Sequence, residues 1–185
     1  MWPKEIRGLC ELFAQVLDYP NGSLRGSAAA CAQQLKACCP GASGPMETFA
    51  TFVQGHKAEA LEELYTQTFD VTPATTLYVG YRLFGETPKR SIFLTRLEEA
   101  YQAHSFSKGS ELADHLCVLL RFLGVARNRE FALPLLREGI MLTLEQVEEG
   151  LRKDKNSYRS AVHSLRLFLH QVSRALAKEE VGQHG

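Results

Sequence analysis

The chain has 185 residues, 21 basic and 21 acidic, and a formal net charge of zero. That length suits a single domain with a sizeable core. Hydrophobic residues at 45% and charged residues at 23% are ordinary globular values and exclude wholesale disorder. A balanced charge also argues against a dedicated nucleic-acid binder, which carries a basic surplus.

Helical spacing recurs along almost the whole chain. Ile6, Leu9, Phe13 and Val16/Leu17 repeat on one helix face, with Pro3 placed near its start. Tyr19-Pro20-Asn21-Gly22 breaks that pattern, and an Ala-rich helix is expected over Ser23–Cys38. Pro40-Gly41-Ala42-Ser43-Gly44-Pro45 reads as a loop and a hinge, with short helices at Met46–Gln54 and Lys57–Thr68. The apolar segment Thr75–Phe84 is assigned to helix because no partner strand is evident. Thr87 and Pro88 open the next helix, which runs to about His104, and Ser105–Gly109 is a second hinge. Ser110 is expected to cap a dense apolar helix from Glu111 to Val125, followed by helices over Phe131–Lys153 and Ser157–Lys178. With no alternating pattern bounded by hairpin turns, the fold class is all-α. The expectation is a single-domain bundle of eight to nine helices with a disordered tail from about residue 179.

Several functional classes are disfavoured at once. The longest stretch without Asp, Glu, Lys or Arg is Val71–Tyr81, eleven residues containing Pro73 and Gly80, whereas a membrane-spanning helix needs roughly 20 apolar residues. Glu5, Arg7 and Glu11 interrupt the N-terminal apolar run, so no signal peptide is read there and a cytoplasmic location is expected. The five cysteines are odd in number and lack a Cys-x-x-Cys spacing, which points to structural thiols, the adjacent Cys38-Cys39 included. A His-Asp metal hydrolase needs its ligands in the order His-Asp, and here the order is Asp114-His115. No phosphate loop, serine elbow or Cys/His signature is present, so no catalytic residue, metal or cofactor is assigned. One alternative survives, a nucleic-acid-binding regulator built on the basic segment 151–178, where seven Lys and Arg face one Asp.

Two constellations are candidates for binding. Tyr65 and Phe69 stand four apart on one helix face, and Asp70 comes next, where the helix must end before Pro73. That carboxylate is placed to bond free backbone N–H groups. Glu111, Asp114 and His115 stand at i, i+3 and i+4, read as one polar cluster at a helix start, with Asp114 at the capping-box position after Ser110.

Together these motifs carry a resemblance. Tyr65-x-x-x-Phe69-Asp70, followed some forty residues later by Glu111-Leu112-Ala113-Asp114-His115-Leu116, resembles the TorD/DmsD/NarJ family of molybdoenzyme assembly chaperones. Leu17-Asp18-Tyr19-Pro20 and Thr75-Thr76-Leu77-Tyr78 are most like the NarJ-type, nitrate reductase branch. Ala113 stands where the family's second motif usually carries proline. The resemblance implies an all-helical chaperone that binds the N-terminal or signal segment of a molybdoenzyme catalytic subunit. It would hold that subunit for molybdenum cofactor insertion, acting as a monomer or a domain-swapped dimer. The implied peptide-binding residues are Glu111, Asp114, His115, Tyr65, Phe69 and Asp70.

Overall fold

The computed structural model describes residues 4–127, 129–153 and 155–182. Pro3, Asp154 and residues 183–185 of the expected tail lie outside the described residues. The helices are α1 (Lys4–Val16), α2 (Leu24–Cys38), α3 (Pro40–Gln54), α4 (Ala58–Tyr65), α5 (Val79–Phe84), α6 (Pro88–Ala103), α7 (Leu116–Val125), α8 (Arg129–Pro134), α9 (Met141–Lys153) and α10 (Tyr158–Gly182). A π turn, Thr66–Asp70, continues α4, and a second, Leu135–Ile140, joins α8 to α9 without a break. Counting that joined run as one rod gives nine among the described residues, in one helical domain. The only β pairing among them is an isolated antiparallel bridge between Tyr78 and His115.

The core forms where four apolar stripes meet. On α1, Leu9, Phe13 and Val16 are fully buried, and Phe13 stacks on Phe168 of α10 with ring centroids 5.5 Å apart. Burial of each such side chain is worth about 2–3 kcal/mol. α7 is apolar nearly all round and lies centrally against α1. α3 packs against both α2 and α10, and Ser164 of α10 donates to the Ala42 carbonyl of α3 at 2.7 Å. Tyr65 and Phe69 are buried as expected, in an aromatic group with Tyr158; the Phe69 and Tyr158 centroids are 4.9 Å apart.

Three sequence expectations are corrected. The Pro40–Pro45 segment is helix, not loop: Pro40 sits at the first helical position, where its missing N–H costs nothing. Pro45 lies inside the helix, tolerated because Ala42, Ser43, Met46 and Phe49 gain a buried face. The segment Thr75–Phe84 is helical only from Val79; Pro73–Thr75 form a 3₁₀ turn and residues 76–78 are extended. The helix expected from Glu111 begins at Leu116, so Ser110 is not its cap. The cause is backbone pairing: Val79 N–H donates to the Asp114 carbonyl and Leu116 N–H to the Leu77 carbonyl, both at 2.9 Å. His115 is thereby held extended, after a turn closed by its own N–H on the Leu112 carbonyl at 3.1 Å, and neither it nor Asp114 joins the helix.

Candidate functional site

The bridge between residues 77–79 and 114–116 builds the site. It places Asp114 and His115 on a bridged backbone junction ahead of α7, and it aligns Tyr78 beside them. His115 is the N-cap of α7, where its Nδ1 accepts from the Cys117 N–H at 3.3 Å. That bond assigns the ring proton to Nε2. Burial pushes the imidazole pKa below its ordinary 6.5, opposed by the carboxylates of Glu111, Asp18 and Asp114. The ring packs edge-on against Tyr78, centroids 5.1 Å apart.

Asp114 is completely buried. It is gripped by Arg90 from the first turn of α6, with Nε 3.0 Å from Oδ2 and a second nitrogen 3.4 Å from Oδ1. The guanidinium also lies over the rings of Tyr78 and Tyr81, at 5.9 and 5.7 Å. Gly80 makes this approach possible: a Cβ there would fall 2.7 Å from Asp114 Oδ2 and 2.9 Å from the Phe93 ring. Asp114 is therefore neither a helix cap nor a solvent-facing charge at a groove edge. It anchors α6 to the junction.

Glu111 lies nearer the surface. Its Oε1 accepts from the Tyr78 hydroxyl at 3.1 Å and from the Leu112 N–H at 2.8 Å. Burial and this carboxylate push the Tyr78 phenol up to about 12, so it stays a donor. Asp70 ends the π turn after α4, exposed, and accepts no capping bond among the described residues, contrary to the role expected of it. Its charge still reaches Tyr65 and Tyr78. Tyr65 is buried, donating to the Leu17 carbonyl at 3.3 Å, and Tyr19 lies edge-on to its ring. Beside it Asp18 and Glu11 pair with Arg121, at 3.0 and 3.4 Å.

The structure thus separates the six candidates by role. Tyr65, Phe69, Asp114 and His115 are buried supports. Glu111 and Asp70 are at or near the surface, beside the exposed apolar side chains Val71 and Leu112. Sequence reasoning missed Arg90 and Gly80. A lone glycine inside an apolar run was the one local sign of close backbone approach.

The polar groups of the site are largely committed to contacts within the protein. The buried carboxylate is neutralised, the imidazole spends one nitrogen on its helix, and no group of three or more His, Cys, Asp or Glu among the described residues could hold a metal. The cysteines are free, and burial raises their thiols, Cys10 to about 12, which leaves them poor nucleophiles. The basic segment 151–178 is partly spent internally: Arg159 and Arg166 converge on Glu148 at 4.0 and 2.6 Å, and Arg152 pairs with Glu149. No helix among the described residues is long and apolar enough to cross a membrane.

Comparison with known proteins agrees with this architecture. The chain is 30% identical over 118 residues to the probable nitrate reductase molybdenum cofactor assembly chaperone NarJ of Bacillus subtilis (strain 168), a match spanning 63% of each chain. It superposes with a TM-score of 0.62 on a crystal structure from Archaeoglobus fulgidus assigned to redox enzyme maturation, at 20% identity, covering 89% of this chain and 93% of that one. That likeness carries the fold. The family model of the nitrate reductase delta subunit matches residues 35–175, well over half the sequence, and the chain belongs to that family.

Proposed function

We propose that the protein is a cytoplasmic, non-enzymatic assembly chaperone for a nitrate reductase. It binds the N-terminal segment of the catalytic subunit and holds that subunit for molybdenum cofactor insertion. The observation that carries this reading is an acidic surface with exposed apolar side chains. Val71 (67% exposed), Leu112 (48%) and Tyr19 (49%) each adjoin a carboxylate in sequence, Asp70, Glu111 and Asp18, and the charges of these three act in pairs on Tyr65, Tyr78 and His115. Such a surface suits a segment that is apolar with basic residues, the charges supplying orientation and on-rate. The buried Arg90–Asp114 pair and the His115 cap keep the surface preformed, which lowers the ordering cost of binding.

Calorimetric titration with a synthetic peptide copying the catalytic subunit's N-terminus tests the reading. Binding near 1 µM, about −8 kcal/mol, is expected for the wild type. The double change Asp70→Asn, Glu111→Gln keeps shape and acceptors while removing two charges. It weakens the peptide several-fold at low salt and less at high salt, with an unchanged melting temperature. A wild-type protein that ignores the peptide under all conditions overturns the proposal.

A further inference from the structure

The segment leaving α1 is buried at Leu17 and Pro20 and turned outward between them at Tyr19, whose side chain is half exposed. A tyrosine ring covered by protein gains free energy that an exposed one forgoes, so contacts elsewhere must hold it out. The Tyr65 hydroxyl donates to the Leu17 carbonyl at 3.3 Å, and the Tyr65 ring meets the Tyr19 ring edge-on, centroids 5.5 Å apart. Arg121 of α7 donates through one Nη to Asp18 Oδ2 at 3.0 Å and through Nε to Glu11 Oε1 at 3.4 Å. The other Asp18 oxygen, Oδ1, accepts from the Tyr19 N–H at 3.0 Å. Asp18 therefore joins the α7 guanidinium to the Tyr19 backbone, and its charge reaches His115 at the start of the same helix. Residues 17–19 are tied to both motif elements, to α4 through Tyr65 and to α7 through Arg121.

Arg121, Asp18 and Glu11 are all partly exposed, and ion pairs between such side chains contribute little to stability. What a guanidinium shared between two carboxylates supplies is direction. Its planar fork has fixed geometry, and it sets Asp18, whose Oδ1 in turn sets the Tyr19 N–H. A tyrosine held in place before binding suits an anchor, because its ring offers a large contact area with only two side-chain torsions and little left to order. We propose that Tyr19 is an anchor for the client's N-terminal segment and that Arg121 is its positioning residue, acting through Asp18. An apolar side chain of the segment covers the ring, whatever the segment's conformation. The proposal rests on the chaperone reading and adds to it the residue that sets the anchor.

The test is calorimetric titration of the full chain with the N-terminal peptide of the nitrate reductase catalytic subunit, at a temperature where urea curves show every variant folded. Tyr19→Ala is expected to weaken the peptide about tenfold and Arg121→Ala about fivefold. Because Arg121 acts through Tyr19, the losses do not add, and the double variant is expected to bind like Tyr19→Ala alone. Arg121→Lys, which can still reach Asp18, recovers most of the affinity. Exchange of the Tyr19 amide reads the same tie without the peptide: it speeds up in Arg121→Ala while the amides of α10 are unchanged. If Arg121→Ala does not fold, Arg121→Gln takes its place in the cycle. Wild-type binding that Tyr19→Ala leaves intact overturns the anchor and leaves the chaperone reading standing. Fully additive losses show that Arg121 acts without Tyr19 and overturn the positioning role. A wild type that ignores the peptide removes both readings.

Discussion

Asp114 buries a full negative charge, and Arg90 supplies the opposing one. Removing one partner of such a pair leaves the other uncompensated, which costs more than the pair itself is worth. Asp114→Asn is therefore expected to lower stability by about 3 kcal/mol in urea denaturation, while Glu111→Gln costs less than about 0.5 kcal/mol. Equal small losses would show Arg90 to be content with solvent. His115 gives the site a pH signature. Its folded pKa lies below 6.5, so the unfolded chain takes up the proton first as pH falls. The stabilisation is complete above about pH 6.5 and drains away as pH falls from there through the lower folded value. Urea midpoints at pH 7.5 and 5.5 measure the loss, and His115→Asn, which can still cap α7, should flatten part of it. An identical pH profile in the variant would assign the loss to other groups. The sequence made Glu111, Asp114 and His115 visible as neighbours because they are local. Arg90 was invisible because its partner lies 24 residues away and nothing at Arg90 itself announces a buried acid.

At the scale of elements, the misreadings have a common cause: tertiary contacts outvoted local punctuation. Two prolines and two glycines in six residues spell a loop, yet the side of α3 carrying Ala42, Ser43 and Met46 is wanted by α2 and α10. Conversely, good helix formers at Glu111–Leu112 stay irregular because residues 77–79 claim the backbone just beyond them. The π turn after α4 was also illegible, since one extra residue rotates the downstream chain by about 100° without a residue type to mark it. That turn is held from a distance. Asn156, ahead of α10, donates to Thr68 Oγ1 at 2.6 Å and accepts from the Tyr158 N–H at 2.9 Å. The Thr75 hydroxyl donates to the Thr68 carbonyl from the other side. Asn156→Ala loses a cap and a brace together and should cost about 2 kcal/mol by chemical denaturation. A loss of a few tenths would mean that Thr75 alone suffices.

Across the whole molecule the packing is uneven. α7 buries eight of its ten residues, whereas α6 buries only Leu97 and Tyr101 of sixteen. α6 packs chiefly on α5, itself six residues long, and its first turn is tied to the body through Arg90. All-α architecture was legible from the 3.6-residue period, but this contrast was not, because Ile92 and Leu94 carry the same apolar signal in sequence as the buried Leu97 and Tyr101. Segments with few buried apolar contacts open at lower free energy than the global transition. Native-state hydrogen exchange should therefore find the amides of α6 exchanging well before those of α7 and α10. In Asp114→Asn, where the tie of α6 to the junction is weakened, the exchange of α6 should accelerate further while α10 tracks only the global loss. Uniform exchange across the three helices would mean that α6 is held as firmly as the core.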